Sequence, residues 1–238
     1  ALTRDVKKAG KKLLVVGGGD VAMDCCRVSR RIHRVEEVHS ICLEDGFDSM
    51  ASSNHEIKGA ISEGIKFNHA RAIKSIEVQD NRVSKVILKK CISMFNEEGM
   101  FSPRFDENDV YEVEVDTIVF AIGQCVEGSF ANGKLDQRRN STFECNKLTL
   151  QSLTNKKIFI AGDASGESVI VIQAMATGRR AAQSVIRFLK GQDLINDRAL
   201  EDTWTFKTKL DMPTNWEEVS GEREDMQELL VEERVSNF

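Results

Sequence analysis

The sequence has no stretch approaching the roughly 18 unbroken apolar residues of a membrane-spanning helix, and no charged-then-apolar leader opens it. Neither insertion nor secretion is indicated, and a cytoplasmic location is the expectation. The six cysteines, Cys25, Cys26, Cys42, Cys91, Cys125 and Cys145, include no C-x-x-C pair, and no histidine stands at metal-ligand spacing. That argues against zinc, an iron–sulfur cluster or a dithiol redox centre within these residues and makes the cysteines reduced packing residues. There is no basic excess either. With 33 Lys and Arg against 38 Asp and Glu the net charge is −5, which gives no electrostatic reason to expect nucleic acid. Internal repeats and low-complexity tracts are also lacking.

What is present is an ordinary globular composition, 41% hydrophobic and 30% charged over 238 residues, enough for one large or two small cores. The charge is uneven. Residues 201–238 hold 11 acidic and 4 basic side chains, a net of −7 against −5 for the whole chain, so this tail is compositionally separate. The chain opens at Ala1 without a methionine, as a piece of a longer protein would.

Lys12 to Val16 is a short apolar run ending on three glycines, and from Val21 to about Ile32 the residues Val21, Cys25, Val28 and Ile32 recur at helical spacing. Val38 to Leu43 reads as a second strand, completing a βαβ unit and implying a parallel sheet. Asn54 to Gly64 is helical, with Ile57, Ala60 and Ile61 on one face and Gly64 as the C-cap. Ile65–Phe67, Ala72–Val78, Val83–Met94 and Tyr111–Val115 then read as an antiparallel meander, with Asn96 to Asp109 as a hairpin loop. Asp116 to Gly123 is a buried strand ending on glycine, and Lys157 to Ala161 is another short strand. From Val169 to Leu189 a long amphipathic helix carries Ile172, Met175, Ala176, Ala182, Val185, Ile186 and Leu189 toward a sheet. Beyond Leu200 the residues Trp204, Phe206, Leu210, Trp216, Met226 and Leu229, scattered among charges, suggest an extended arm with a short terminal helix.

The sharpest motif is Gly17-Gly18-Gly19-Asp20-Val21-Ala22, a G-x-G-x-x-A set between strand and helix. Gly17 permits the tight turn, Gly19 lets the backbone approach a pyrophosphate, and Ala22 lets the helix lie close on the strand, so that its N-terminal N–H groups face phosphate. The ribose-reading position after the second strand is Glu44 or Asp45. A carboxylate there accepts from a 2′-hydroxyl and repels a 2′-phosphate, so NAD(H) is favoured over NADP(H). His33, His39, His55 and His69 belong to no recognisable nucleophile or metal pattern. Arg179 and Arg180 suit either a phosphate contact or surface ion pairs.

Taken with Asp116–Gln124 (DTIVFAIGQ), Ile158–Asp163 (IFIAGD) and Gln173–Ala182 (QAMATGRRAA), the glycine turn (GGGDVAMD) resembles the small (β) subunit of glutamate synthase and its relatives. These are FAD- and NAD(P)-dependent oxidoreductases of the pyridine nucleotide-disulfide oxidoreductase superfamily. The resemblance runs over about residues 10–238 and implies an α/β, Rossmann-like FAD/NAD(P)-binding fold with a central parallel sheet and an antiparallel β-meander. It implies an NAD(P)-binding domain over 1–125, the C-terminal part of an FAD-binding domain over 126–199, and an acidic C-terminal arm over 200–238.

The resemblance also implies cofactor contacts at Ile122 and Gly123, at Gly162 and Asp163, whose family counterpart bonds the flavin ribityl chain, and at Val171 and Ile172, where a helix N-terminus faces the flavin pyrimidine. Hydride would pass from NAD(P)H to FAD and electrons onward to a partner, with no catalytic side chain required. The rest of the FAD site, with iron–sulfur clusters, is expected on a partner subunit or an amino-terminal segment missing here. The alternative is a non-catalytic nucleotide-binding module. Asp20 stands where asparagine is common in the family, and a carboxylate there suits a pyrophosphate only if it points away.

Overall fold

The computed structural model describes residues 9–166, 170–196 and 227–236. They fall into two compact units, the described residues of 1–123 together with those of 224–238, and those of 124–223.

In the first unit, β1 (Lys12–Val16), α1 (Asp20–Arg30), β2 (Glu37–Ile41), α2 (Asn54–Ser62) and β3 (Lys66–Asn68) are followed by β4 (Arg71–Gln79), β5 (Arg82–Phe95), β6 (Phe101–Val113) and β7 (Thr117–Phe120). A parallel sheet has the order β3-β2-β1-β7, and β4-β5-β6 form an antiparallel sheet. β1 is buried on both faces, so its side chains alternate between two cores. Leu13 and Val15 join Ala22, Met23, Cys26 and Ile57 on the helix side. Leu14, with Ile41, packs on Val86, Leu88 and Val113 of the meander side. Each fully buried leucine contributes about 2 kcal/mol.

Several local expectations change. The buried side of α1 is Ala22, Met23, Cys26 and Ser29, while Val21 and Val28 are exposed. Ala22 must face the glycine turn, and that rotates the helix one residue from the face drawn through its largest apolar side chains. In α2, Ile57 and Ala60 are buried as predicted but Ile61 is exposed. Ser53 caps this helix by accepting from Glu56 N–H, and Gly64 follows it at φ +82°. The third short strand, expected in the meander, pairs in parallel with β2 instead. Asn96 to Asp109 is mostly strand, because β6 begins at Phe101. Pro103 is tolerated there because, among the described residues, β6 pairs with β5 alone and the register shifts between Ser93 and Phe95.

Helix α1 is tied to α2 by Glu63. Its Oε1 accepts from Arg27 Nε (3.1 Å) and Nη2 (2.9 Å) and from Arg31 Nη2 (2.8 Å). Near the ends of both helices a short helix of the same unit, α4 (Val231–Ser236), lines a groove with Arg30, Ile32, His33 and Glu63.

In the second unit, α3 (Val171–Leu189) is the long helix. The buried face is Thr177 and Ser184, with Ala181 against a small core of Phe143, Cys145, Leu150 and Ile160. The apolar face expected to cover a sheet is mostly exposed, Ile172 at 64% and Met175 at 65%. The small residues are the ones that let the helix approach this core. Lys157 to Ala161 is not a strand, because only Phe159 forms a bridge, to Gln151. Val169 and Trp204 to Met226 lie outside the described residues, and Leu229 is exposed. Four cysteines, Cys26, Cys42, Cys91 and Cys145, are buried, Cys25 is partly so, Cys125 is exposed, and all six are free thiols. No described helix is long and apolar enough to cross a membrane.

Candidate nucleotide site

β1 lies between β2 and β7, so the chain leaves its C-terminal end where the connections diverge to opposite sides, the place at which open α/β sheets form a ligand crevice. Gly17 N–H donates to Ile41 carbonyl (2.9 Å) and Ala121 N–H to Val16 carbonyl (2.8 Å), which pins the turn between its neighbours. Gly17 has φ +141°, and a Cβ there would collide with the Ala121 carbonyl oxygen and crowd Ala22 Cβ at 3.3 Å. This position is glycine for the backbone's sake. Gly19 differs, since a Cβ would meet nothing within 4 Å. It forms the N-cap of α1 and carries no side chain to satisfy the first N–H groups, leaving a positive helix end open to an anion.

Asp20 points away from this opening. Its Oδ1 accepts from Ser52 Oγ and Ser53 N–H, each at 2.7 Å, and Ser52 N–H donates to Gly18 carbonyl at 3.0 Å. The Ser53 and Ser52 bonds hold the Asp20 carboxyl below its ordinary pKa. The aspartate is a brace between turn and following loop. Val21 stands exposed on the first turn, and Ala22 is fully buried behind it.

Glu44 lies over the turn, its carboxylate 2.6 Å from where a Gly18 Cβ would be. Its carbonyl accepts from Ala70 N–H at 2.6 Å. Next to it, Cys42 Sγ is 3.4 Å from His69 Nδ1. Burial lowers the His69 pKa, against the pull of Glu44 and Asp45, so this imidazole is neutral at pH 7. Burial pushes the Cys42 thiol up to about 12, which leaves it unreactive.

Gly17, Gly18, Glu44 and Ile122 open on one cleft of about 440 Å³, walled further by Ile73, Met94, Phe95, Phe101 and Phe120. Gly123, at φ +107°, lies beyond β7, which ends at Phe120, and the buried strand expected over Asp116 to Gly123 is shorter and half-exposed, with Phe120 and Ile122 open to the cleft. The cleft is apolar with one carboxylate and one cation, Arg71, as its charged lining. Arg71 and the hairpin aromatics belong to no sequence motif. Only the pairing of β5 with β6 brings Phe95 opposite Phe101.

The chain matches the family model described as pyridine nucleotide-disulphide oxidoreductase over residues 1–183. It belongs to that family. As a pyridine nucleotide-disulphide oxidoreductase it is 31% identical over 198 residues to the glutamate synthase [NADPH] small chain of Escherichia coli strain K12, covering 79% of this chain and 41% of that one. It is 28% identical over 185 residues to the NADP(+)-dependent formate dehydrogenase subunit beta of Moorella thermoacetica, covering 76% and 25%. The chain thus spans well under half the length of these relatives. Thioredoxin reductase of Lactococcus lactis shares the fold, with a TM-score of 0.63 at 19% identity over 80% of this chain and 57% of that one. An α/β dinucleotide-binding architecture, with its parallel sheet and meander, is thereby established.

The remaining predicted residues lie in the second unit. Gly162, at φ +63°, opens a 3-10 turn over Gly162–Ser165, and its N–H donates to Thr177 Oγ1 at 2.9 Å. Asp163 is exposed on this turn. The cap residue of α3, Ile170, has no polar side chain, and Val171 and Ile172 on the first turn are exposed. Asp163 offers an exposed acceptor and the first turn of α3 carries N–H groups without a side-chain cap, group types of the kind a flavin's ribityl hydroxyls and ring oxygens would pair with. Arg180 Nη1 donates to Lys147 carbonyl at 3.2 Å, and Arg179 is exposed.

Proposed function

We propose that the first unit binds a pyridine nucleotide, with pyrophosphate at Gly17 to Val21 and the adenosine ribose at Glu44, and prefers NAD(H) to NADP(H). The observation that carries this reading is the Glu44 carboxylate beside Gly18, at the mouth of a turn whose helix end is open. The α1 N–H groups donate to the phosphate, Glu44 accepts from the ribose hydroxyls, and the apolar wall receives the rings. Asp20 serves by staying turned toward Ser52 and Ser53. Ile122 and Gly123 complete the nucleotide contacts. The relatives' names carry NADPH, and Glu44 is the residue at which this chain would part from them.

Gly162, Asp163, Val171 and Ile172 would hold part of a flavin, and a partner subunit or a further segment would hold the rest. Flavin, when bound, supplies the acceptor for hydride from the nicotinamide. This chain's residues bind and orient, and no side chain serves as acid or base. The full protein would be an oxidoreductase of the glutamate synthase small-subunit type, passing electrons to a partner.

Calorimetric titration of the full chain with NADH and NADPH tests the nucleotide reading. NADH should bind, and more tightly than NADPH, whereas no heat from either ends the proposal. A second reading, a nucleotide-binding module without turnover, draws on the exposure of Ile172 and Met175 on α3. A chain that purifies colourless supports it, and flavin absorbance near one per chain overturns it.

A further inference from the structure

The cleft holds one cation that the nucleotide reading leaves without a task. Arg71 begins β4 and is placed by the backbone, since its N–H donates to Cys42 carbonyl (2.8 Å) while the N–H of Ala70 donates to Glu44 carbonyl (2.6 Å). The loop carrying Glu44 and the start of β4 are therefore held side by side by main-chain bonds, and Glu44 and Arg71 are the two charged residues lining the cleft. The guanidinium is held as a plane. Nη1 donates to Asp109 Oδ1 (2.8 Å) and to the Asp109 carbonyl (3.2 Å), and the group lies 4.8 Å from the centre of the Tyr111 ring. Tyr111 is itself locked, its hydroxyl donating to Asn68 Oδ1 at 2.6 Å. Both bonds to Asp109 leave from Nη1, so Nε and Nη2 form the other half of the fork. Asp109 also faces Lys90 Nζ at 3.8 Å and so is shared between two cations. A planar, permanently charged fork held on one side and open on the other is the arrangement that receives a phosphate. His69 is neutral and contributes no charge of this kind.

Building on the nucleotide reading above, we propose that Arg71 is a second specificity-determining residue. The balance between Glu44 and Arg71 sets how strongly the cleft discriminates NAD(H) from NADP(H). Glu44 repels a 2′-phosphate and accepts from a 2′-hydroxyl, while Arg71 attracts the phosphate and is held in check by Asp109. Selection is therefore a difference of two opposed charges lining one cleft, one on the loop after β2 and one at the start of β4, and not the property of one acid.

The test reads dissociation constants of the full chain for NADH and NADPH, and for 5′-AMP and adenosine 2′,5′-bisphosphate, which isolate the adenosine end. Glu44→Gln should shift the NADPH to NADH ratio toward NADPH by ~10-fold or more. Arg71→Met placed on Glu44→Gln should remove that gain, and Arg71→Lys on the same background should return part of it. Asp109→Asn alone, which removes the negative charge competing for Arg71 while keeping an acceptor for Nη1, should move the ratio several-fold toward NADPH, and the bisphosphate should follow the same order. A double variant that keeps the full gain of Glu44→Gln, or an Asp109→Asn ratio equal to wild type, overturns the role of Arg71 alone. Wild-type chain that binds neither dinucleotide nor 5′-AMP overturns the nucleotide reading, and this inference with it.

Discussion

A methyl group added at Gly17 and one added at Gly19 meet opposite surroundings, and the two positions separate stability from binding. Gly17→Ala places a Cβ against the Ala121 carbonyl at a backbone angle of +141°, so about 1–3 kcal/mol of strain should appear as a lowered Tm. Gly19→Val meets open space and should leave Tm nearly unchanged while weakening NADH by ~10-fold or more. If both variants lose stability alike, the turn is structural throughout. Asp20 is a third case. Its pKa is depressed by Ser53 and Ser52, so its contribution is present above the ordinary carboxylate pKa and lost as pH falls through the lowered value. Asp20→Asn keeps an acceptor for Ser53 N–H and should flatten that part of the acid limb in a pH series of Tm. The glycine turn and the close packing of Ala22 are legible from spacing because the turn is local, whereas spacing leaves the position after β2 between Glu44 and Asp45. The direction of Asp20 is not legible, since its partners, Ser52 and Ser53, lie more than thirty residues on.

Between helices, the informative contact is Glu63, whose carboxylate has no exposed side-chain surface and takes three bonds from Arg27 and Arg31. Burial alone would raise its pKa, but the two guanidiniums outweigh that and leave it lowered. Glu63→Ala leaves Arg31 without its carboxylate and Arg27 with Glu56 alone, and should cost about 3 kcal/mol in denaturant unfolding, against near zero for a solvated acid. The stabilisation from Glu63 is complete above the ordinary glutamate pKa of ~4.3 and is lost as pH falls through its lowered value in the folded protein. Sequence periodicity placed α1, α2 and β1 well, because each has one dominant burial period. It misjudged the inward face of α1 and of α3, because small residues such as Ala22, Ala181 and Ser184 set close approach and carry little hydrophobic signal. It also took residues 101–109 for loop, since an edge strand with a proline and several acids lacks the alternation of a half-buried one. The cleft walls, Arg71 among them, come from long-range pairing that no local pattern encodes.

Across the whole molecule, a ligand confined to the first unit should protect that unit selectively. NADH at about 100 times its dissociation constant should add ~2.7 kcal/mol to the unit's unfolding free energy, read as slower hydrogen exchange in β1 and α1 than in the turn of Gly162–Ser165. Equal protection of both units would contradict a site built wholly within the first. The cysteines give the same comparison a chemical clock. Cys125 is exposed, whereas Cys26, Cys42 and Cys91 are buried in one unit and Cys145 in the other, and burial pushes Cys26 up to about 12. A thiol reagent should therefore label Cys125 at once and then pause. The later labels would be timed by opening of the interior, one set per unit, so that the order in which masses appear ranks the two halves by how often each breathes.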